Sequence, residues 1–260
     1  MMQSRQGHGF SAPGGVHFGP TGPVPRMVKT LVAVNLGVYV LQLLTPGDLM
    51  ISLFGLIPAQ VNRLELWRLF TYQFLHGGVW HLAINMLMLW MFGSELEQRW
   101  GERFFLKYYF LCGVGGGLTY AAVRFGTPMA SVGASGAIYG VLMAYGLWFP
   151  NRVVLLAFLF PVRVRHVVVF LIVVELLQAI ESTGAGIAYA AHLGGMAFGY
   201  VYLRWWGSAS LGLGAVPSWH DLRRAYYRWR FRRLQKKRFG GGSGGGGAGG
   251  GSGDDRPTYH

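Results

Sequence analysis

Six mostly apolar segments, separated by polar connections, constrain the fold of this chain more than any other feature of its sequence. They are residues 28–44, 80–96, 104–123, 135–149, 166–180 and 188–206. A helix needs ~20 mostly apolar residues to cross ~30 Å of hydrocarbon, and several of these segments are somewhat shorter. With 52% hydrophobic residues and a mean hydropathy of +0.33, the chain is too apolar for an ordinary soluble domain. The sequence therefore predicts an all-α polytopic membrane protein, a bundle of six transmembrane helices.

The positions of Lys and Arg predict the orientation of these spans. Basic residues gather on the cytoplasmic side of membrane proteins. With six crossings and both termini in the cytoplasm, 20 of the 23 Lys and Arg residues fall inside. The three that fall outside are Arg63, Arg68 and Arg124. This asymmetry places the beginnings of the second, fourth and sixth spans at the outer face.

The flanking segments differ from the spans in composition. Residues 1–26 and 240–260 are rich in Gly, Pro and Ser and are expected to be disordered. Between them, residues 27–207 form the predicted six-helix membrane domain, and residues 208–239 a basic juxtamembrane segment. The leader contains no recognisable signal peptide, so the first span is expected to direct insertion. A further apolar run, "VVLLAFLFPV", is short and interrupted by Pro161, and we interpret it as an interfacial connection.

Two residues at the outer ends of spans are candidates for chemistry. Ser135 stands at the entry of the fourth span and His192 lies about one turn inside the sixth. A histidine beside a serine can remove the hydroxyl proton during attack on a carbonyl and then return it to the leaving amine. Each residue alone also fits a structural role, as a helix N-cap or a histidine bonded to the backbone.

Small residues on the same two spans favour catalysis over a purely structural role. Gly136 and Gly140 are four residues apart, and so are Ala191, Gly195 and Gly199. Such stripes permit close helix packing in lipid, which would bring Ser135 and His192 together. Simple helix packing without chemistry is the alternative.

Polar residues on the second span are candidates for binding an oxyanion. His81 and Asn85 share a helical face because they are four residues apart. Together with the Ser135 backbone amide and the positive end of the fourth helix, they could stabilise a developing negative charge. Interhelical hydrogen bonding is the alternative role of these two side chains.

Other chemistries fit the sequence less well. His76 and His81 could bind a metal, but the sequence has no HExxH pattern and no nearby carboxylate that could serve as a third ligand. Neither a metal nor a cofactor is therefore expected. The "GASGA" stretch lacks the second glycine of the G-x-S-x-G elbow of α/β-hydrolases. Glu175 is expected midway along the fifth span, away from the outer face, and Glu181 in a loop, so we predict a serine-histidine dyad without a carboxylate.

From about Pro25 to Trp206, the chain resembles bacterial rhomboid intramembrane serine proteases. The resemblance is carried by "LWRLFTYQFLHGGVWHLAINMLMLWMFGSELE", "GASGAIYG" and "AHLGGMAFGY". It implies that Ser135 is the nucleophile, His192 the base, and His81 and Asn85 the oxyanion-hole side chains. It also implies a structural role for Trp67 and Arg68 in the first outer loop.

The resemblance implies that the substrates are transmembrane segments of other proteins, cleaved near the outer face in a bacterial inner membrane. A helical substrate must unwind locally before attack, because its peptide bonds are protected by hydrogen bonds. Gly184 and Gly186 would let the loop before the sixth span move as a cap, or that loop is an ordinary connection.

The basic segment, residues 208–239, has an amphipathic pattern. Trp219, Leu222, Tyr226 and Trp229 recur at helical spacing among basic residues, which favours contact with anionic lipid over nucleic-acid binding.

The main alternative function is a non-catalytic rhomboid-like protein that binds membrane clients. A transporter would instead need ionisable residues along a path through the membrane, for which Glu175 is the one suitable residue in the predicted spans.

Overall fold

The computed structural model describes residues 11–12, 16–17, 20, 22–156, 160–181, 188–207, 223 and 226–231. The chain divides into two compact units, Met1–Val216 and Pro217–His260. The helices of the first unit are α1 (Arg26–Leu44), α2 (Leu49–Phe54), α3 (Pro58–Val61), α4 (Arg68–Thr71), α5 (Val79–Met88), α6 (Ser94–Trp100), α7 (Glu102–Val123), α8 (Ser135–Trp148), α9 (Val164–Glu181) and α10 (Ala188–Tyr202). Its strands are β1 (Ser11–Ala12), β2 (Val16–His17), β3 (Val153–Leu156) and β4 (Phe160–Arg163).

Every predicted span lies on a helix of the structure. The second span corresponds to α5 and α6, which are joined by the π-helical turn Leu89–Gly93, and the sixth to α10 with the π-helical turn Leu203–Gly207. The second helical run continues beyond its apolar part until Gly101, whose φ of +79° ends α6. Most of the two terminal segments predicted to be disordered falls outside the described residues.

Few of the described helices are long and apolar enough to cross a membrane by themselves. Among them α1 alone passes, while Arg68–Phe74 and Val79–Trp100 pass as a pair that bends by 96°. The helices α8 and α10 contain 14 and 15 residues, and at ~1.5 Å per residue they span less than ~30 Å of hydrocarbon. A count of six crossings stays a prediction.

The connection between α1 and α5 folds around Arg68. The Arg68 guanidinium donates hydrogen bonds of 2.8 Å to the carbonyl oxygens of Gly55 and Ser52 and pairs with Glu65. Leu56 in this loop exchanges backbone hydrogen bonds of 3.0 and 2.9 Å with Ser131. The loop therefore fixes the backbone immediately before α8.

Three helices, α7, α8 and α10, form the centre of the first unit. A Cβ atom at Gly116 of α7 would lie 2.5 Å from the carbonyl oxygen of Ala191 in α10, so only glycine permits this approach. The Tyr108 hydroxyl of α7 donates to the Gly140 carbonyl of α8 at 2.7 Å. Cys112 is buried at the same centre. This close packing sets the separation of α8 and α10.

Two carboxylates of α6, Glu97 and Glu95, connect this helix to α1 and to the segment after α8. Both oxygens of Glu97 accept hydrogen bonds of 2.8 Å from the first backbone amides of α1, those of Met27 and Val28. A carboxylate stabilises the positive end of a helix in this position. The neighbouring Glu95 is buried and forms an ion pair with Arg152.

The apolar run "VVLLAFLFPV" contains a short β-hairpin, which is an exception to the predicted all-α class. β3 pairs with β4 in antiparallel register, with Leu155 opposite Pro161. Proline is tolerated here because a two-stranded ribbon leaves one edge unpaired. The β-branched residues Val153 and Val154 favour an extended backbone over a helix.

The second unit is described only at residue 223 and residues 226–231, which are helical. Its exposed side chains include Tyr226, Tyr227, Trp229 and Phe231. The Arg223 guanidinium lies 5.6 Å from the centre of the Tyr227 ring. Trp219 and Leu222, which the sequence analysis placed on the same helix, lie outside the described residues, and the lipid contact stays a prediction.

Candidate active site

Ser135 and His192 are joined by a hydrogen bond. Ser135 is the first residue of α8 and His192 lies in the second turn of α10. The distance between Ser135 Oγ and His192 Nε2 is 2.8 Å. An unprotonated Nε2 at this distance can accept the serine proton, so the imidazole is placed to act as a base toward the hydroxyl.

The predicted small-residue stripes lie where α8 and α10 pack closely on each other and on α7. A Cβ atom at Gly195 would come within 2.8 Å of the Gly136 carbonyl carbon and closer still to its oxygen. At Gly140 an added Cβ would overlap Cys112, and at Gly199 it would overlap the Tyr108 hydroxyl. All four glycines therefore lie in close contact with a neighbouring helix, and Gly136 and Gly195 do so beside the serine-histidine pair.

Glu175 also reaches His192, and the prediction that no carboxylate lies near the pair is wrong. Glu175 Oε1 is 2.9 Å from His192 Nδ1. Glu175 lies six residues before the end of α9 and His192 four residues after the start of α10. These offsets correspond to about 9 Å and about 6 Å along the two helices, so the side chains lie at similar depths. The prediction failed because it measured the position of Glu175 from the centre of its apolar segment and not relative to His192.

Tyr139 is a further site residue, which the sequence analysis missed. Its ring stacks on the His192 imidazole with centroids 4.0 Å apart and an interplanar angle of 6°. Its hydroxyl donates a hydrogen bond of 2.6 Å to Glu175 Oε1. The signal was available in the sequence, because Tyr139 is four residues after Ser135 and therefore shares its helical face.

Gly133 brings His81 next to Ser135. Gly133 has a φ of +127°, and a Cβ atom there would lie 2.9 Å from His81 Nε2 and 3.7 Å from Ser135 Oγ. Its amide donates to the Tyr72 carbonyl oxygen at 2.9 Å, which holds this backbone in place. The His81 ring and the serine hydroxyl therefore flank the same glycine.

Asn85 lies one turn after His81 on α5 and is buried. Its Nδ2 atom has no hydrogen-bond partner among the described residues. Together with Tyr139, it lines a mostly apolar cavity of about 320 Å³ between α5, α8 and α9. An amide donor without a partner, beside a cavity that Tyr139 also lines, is suited to binding a polar group of a ligand.

His76 packs against His81 and lies outside the predicted spans. The two imidazole rings meet edge to face with centroids 5.2 Å apart. Burial, assisted by the neighbouring His81, lowers the pKa of His76 to about 4, so this imidazole is neutral at neutral pH. Among the described residues, no three His, Cys, Asp or Glu side chains are grouped as a metal site requires.

The start of α8 adds backbone donors to these side chains. The first amides of a helix have no carbonyl partner within it, and the helix dipole places partial positive charge there. Ser135 occupies this position in α8. The site therefore combines a serine hydroxyl, a base and several donors, which is the set needed to attack a carbonyl and stabilise the resulting oxyanion.

Comparison with known proteins identifies the family. The family model described as Rhomboid domain matches residues 63–208, which is more than half of the 260-residue chain. Rhomboid protein 1, mitochondrial, of Saccharomyces cerevisiae is 36% identical over 140 residues, which are 50% of this chain and 38% of the yeast protein. Rhomboid protease AarA of Providencia stuartii is 30% identical over 195 residues, which are 66% of this chain and 69% of that protein.

A third relative matches a shorter region. Rhomboid protease GluP of Bacillus subtilis is 45% identical over 80 residues, which are 31% of this chain and 15% of GluP. The chain spans about half or less of the length of several curated relatives, as with the yeast protein. The extent of the family match shows that this chain belongs to the rhomboid family of polytopic integral membrane proteins.

Proposed function

We propose that this chain is an intramembrane serine endopeptidase that cleaves transmembrane segments of other membrane proteins near the outer face. The observation that carries the proposal is the 2.8 Å hydrogen bond between Ser135 Oγ and His192 Nε2. Family membership and two relatives named as rhomboid proteases support it. No cofactor is required for this chemistry.

The first half of the reaction forms an acyl-enzyme. Ser135 Oγ bonds to the carbonyl carbon of the scissile peptide while its proton passes to His192 Nε2. The carbonyl electron pair moves to the oxygen, which becomes an oxyanion. When the pair returns, the C–N bond breaks, and the proton on Nε2 is transferred to the leaving amine.

The second half regenerates the serine. A water molecule gives a proton to His192 Nε2 and its oxygen bonds to the acyl carbon. The Ser135 Oγ–C bond then breaks, Oγ recovers the proton, and the carboxyl product leaves. The net reaction consumes one water for each peptide bond cleaved.

The oxyanion is bound by donors at the outer ends of the helices. The Asn85 amide, which has no partner among the described residues, and the His81 ring supply the side-chain donors. The Ser135 backbone amide adds a donor at the positive end of α8. Loss of one such donor costs about 10²- to 10³-fold in the rate of acyl transfer.

The expected setting is a multi-pass location in the bacterial inner membrane with both termini in the cytoplasm. This orientation follows from the distribution of Lys and Arg and places Ser135 at the outer face. The relatives include one named as mitochondrial, Rhomboid protein 1 of Saccharomyces cerevisiae. The basic segment would contact anionic lipids of the inner leaflet.

Cleavage of a model substrate in proteoliposomes tests the proposal. The parent protein and the variants Ser135→Ala and His192→Ala are reconstituted with a single-span protein, and the products are followed over time. We expect cleavage by the parent and loss of ~10³-fold or more in each variant. Persistent cleavage by Ser135→Ala would contradict the mechanism. Absence of cleavage by a folded parent that still binds the substrate would favour the client-binding alternative.

Matched controls separate catalysis from folding. Ser52→Ala removes an exposed serine hydroxyl, and His166→Ala an exposed imidazole at the start of α9. Both should cleave at the parental rate because neither side chain is near Ser135. Thermal unfolding in detergent should give similar midpoints for all variants.

A further inference from the structure

Glu175 is a buried carboxylate that the dyad mechanism does not use. Its exposed fraction is 5%. An ionisable group within a membrane helix is costly and therefore marks a functional role or a specific partner. Its Oε1 atom contacts His192 Nδ1 at 2.9 Å and the Tyr139 hydroxyl at 2.6 Å, while Oε2 has no hydrogen-bond partner among the described residues. Both observed partners thus belong to the site around Ser135.

The contact to Glu175 determines the tautomer of His192. Nε2 must accept the Ser135 proton, so a neutral imidazole has to carry its own proton on Nδ1. Glu175 Oε1 is an acceptor on that side of the ring and accepts the Nδ1 proton. The opposite tautomer would place two acceptors against each other at Nδ1, and its Nε2 would donate to the serine oxygen and could not accept the serine proton.

Tyr139 fixes both members of this contact. Its ring lies parallel to the imidazole at 4.0 Å, which restricts rotation of His192. Its hydroxyl occupies the second lone pair of the same Glu175 oxygen, which restricts the carboxylate. The three side chains come from three different helices, α8, α9 and α10.

We propose that Glu175 is a positioning residue that completes a Ser135–His192–Glu175 triad within the membrane domain. It holds the imidazole in the reactive tautomer and stabilises the imidazolium that forms when the Ser135 proton moves to Nε2. Tyr139 supports it through the shared oxygen. This inference rests on the proposed function, since it assigns a role toward the same nucleophile.

The rate at which a fluorophosphonate modifies Ser135 tests the role of Glu175 without a protein substrate. The Oγ–P bond forms, the P–F bond breaks, and the Oγ proton passes through His192 Nε2 to leave with fluoride. The full-length protein in detergent is labelled and its mass followed. We expect Glu175→Gln to react about tenfold to a hundredfold more slowly, the range covered by one charge-assisted hydrogen bond.

Cleavage kinetics provide a readout that a purely structural role would not give. For Glu175→Gln we expect kcat to fall by the same factor while KM stays within about twofold, because the carboxylate acts on the transition state. Tyr139→Phe, which retains the stacked ring, should slow both reactions less. The double variant should be no slower than Glu175→Gln alone, because the two groups act through one oxygen.

The controls make every outcome decisive. Glu102→Gln changes an exposed carboxylate on α7 and should react like the parent. A parental rate for folded Glu175→Gln would overturn the triad and leave the proposed function intact, whereas failure of the folded parent to label at Ser135 would overturn the proposed function itself. If Glu175→Gln does not fold, Glu175→Asp replaces it: the shorter carboxylate should slow labelling by about tenfold, and a parental rate would overturn the triad.

Discussion

Replacing Gly195 by alanine should separate the nucleophile from its base. The new methyl group would lie 2.8 Å from the Gly136 carbonyl carbon and closer still to its oxygen. Neither contact can be relieved by a side-chain rotation, because both partners are backbone atoms. Apolar contacts are favourable only at ~3.5–4.0 Å, so α8 and α10 must move apart by about 1 Å. Gly136 is adjacent to Ser135 and Gly195 is three residues after His192.

This movement is large compared with the tolerance of the site. Added to the 2.8 Å separation of Ser135 Oγ and His192 Nε2, it gives about 3.8 Å, beyond the range of a hydrogen bond. A misplacement of ~1 Å can cost ~10²-fold in rate, and overpacking costs about 1–3 kcal/mol of stability. We therefore expect a fall of ~10²-fold in cleavage and fluorophosphonate labelling, with a lower unfolding temperature.

Gly37→Ala is the matched control for this substitution. Gly37 lies on α1, and an added Cβ there meets no atom within 4 Å. Alanine favours the helix over glycine by about 1 kcal/mol, so this variant should retain activity and be slightly more stable. Parental activity and stability of Gly195→Ala would refute the argument that the glycine contact sets the distance between nucleophile and base.

Further predictions concern three other positions in the first unit. Gly133→Ala should lower cleavage at least about tenfold, because its Cβ would lie 2.7 Å from the His81 ring at a φ of +127°, a strained conformation for any other residue; a parental cleavage rate would contradict this. Glu97→Gln weakens the two hydrogen bonds that hold the start of α1 and should destabilise the fold by about 1–2 kcal/mol with little change in kcat, as measured by chemical unfolding; unchanged stability would show that this contact is dispensable. The pKa of His76 is lowered from its ordinary value of 6.5 to about 4, so the unfolded chain binds a proton more readily than the folded protein between these values. The stability that neutral His76 contributes should be complete above about pH 6.5 and lost as the pH falls toward about 4. His76→Gln should flatten this pH dependence of the unfolding temperature, and an unaltered pH dependence would assign it to other groups.

Much of the first unit was predictable because its signals are local. Apolar runs mark the helices, and the spacing of Gly136, Gly140, Gly195 and Gly199 marks the faces that pack closely. The same logic identified Ser135 and His192, since each lies at the outer end of a predicted span. The four-residue spacing between Ser135 and Tyr139 also indicates that the two side chains share a helical face, but the prediction of the site did not use this spacing.

The features that were missed depend on contacts between distant parts of the chain. The Glu175 contact follows from the relative heights of α9 and α10, and a linear count along an apolar segment does not measure those heights. The fold of the first loop depends on Arg68 reaching carbonyls 13 and 16 residues earlier in the chain. The sequence did not predict the β3–β4 hairpin, because a short apolar run fits a strand and an interfacial segment equally well.

The masses of the products released from a single-span substrate test the central claim most directly. The parent and Ser135→Ala are incubated with the substrate in proteoliposomes, and both fragments are analysed by mass spectrometry. We expect two fragments whose masses sum to that of the substrate plus one water, with the cut at the outer end of its apolar segment and no cut by Ser135→Ala. The same cut by Ser135→Ala, or a folded and labelled parent that leaves the substrate intact, would contradict the assignment of Ser135 as the nucleophile of an intramembrane protease.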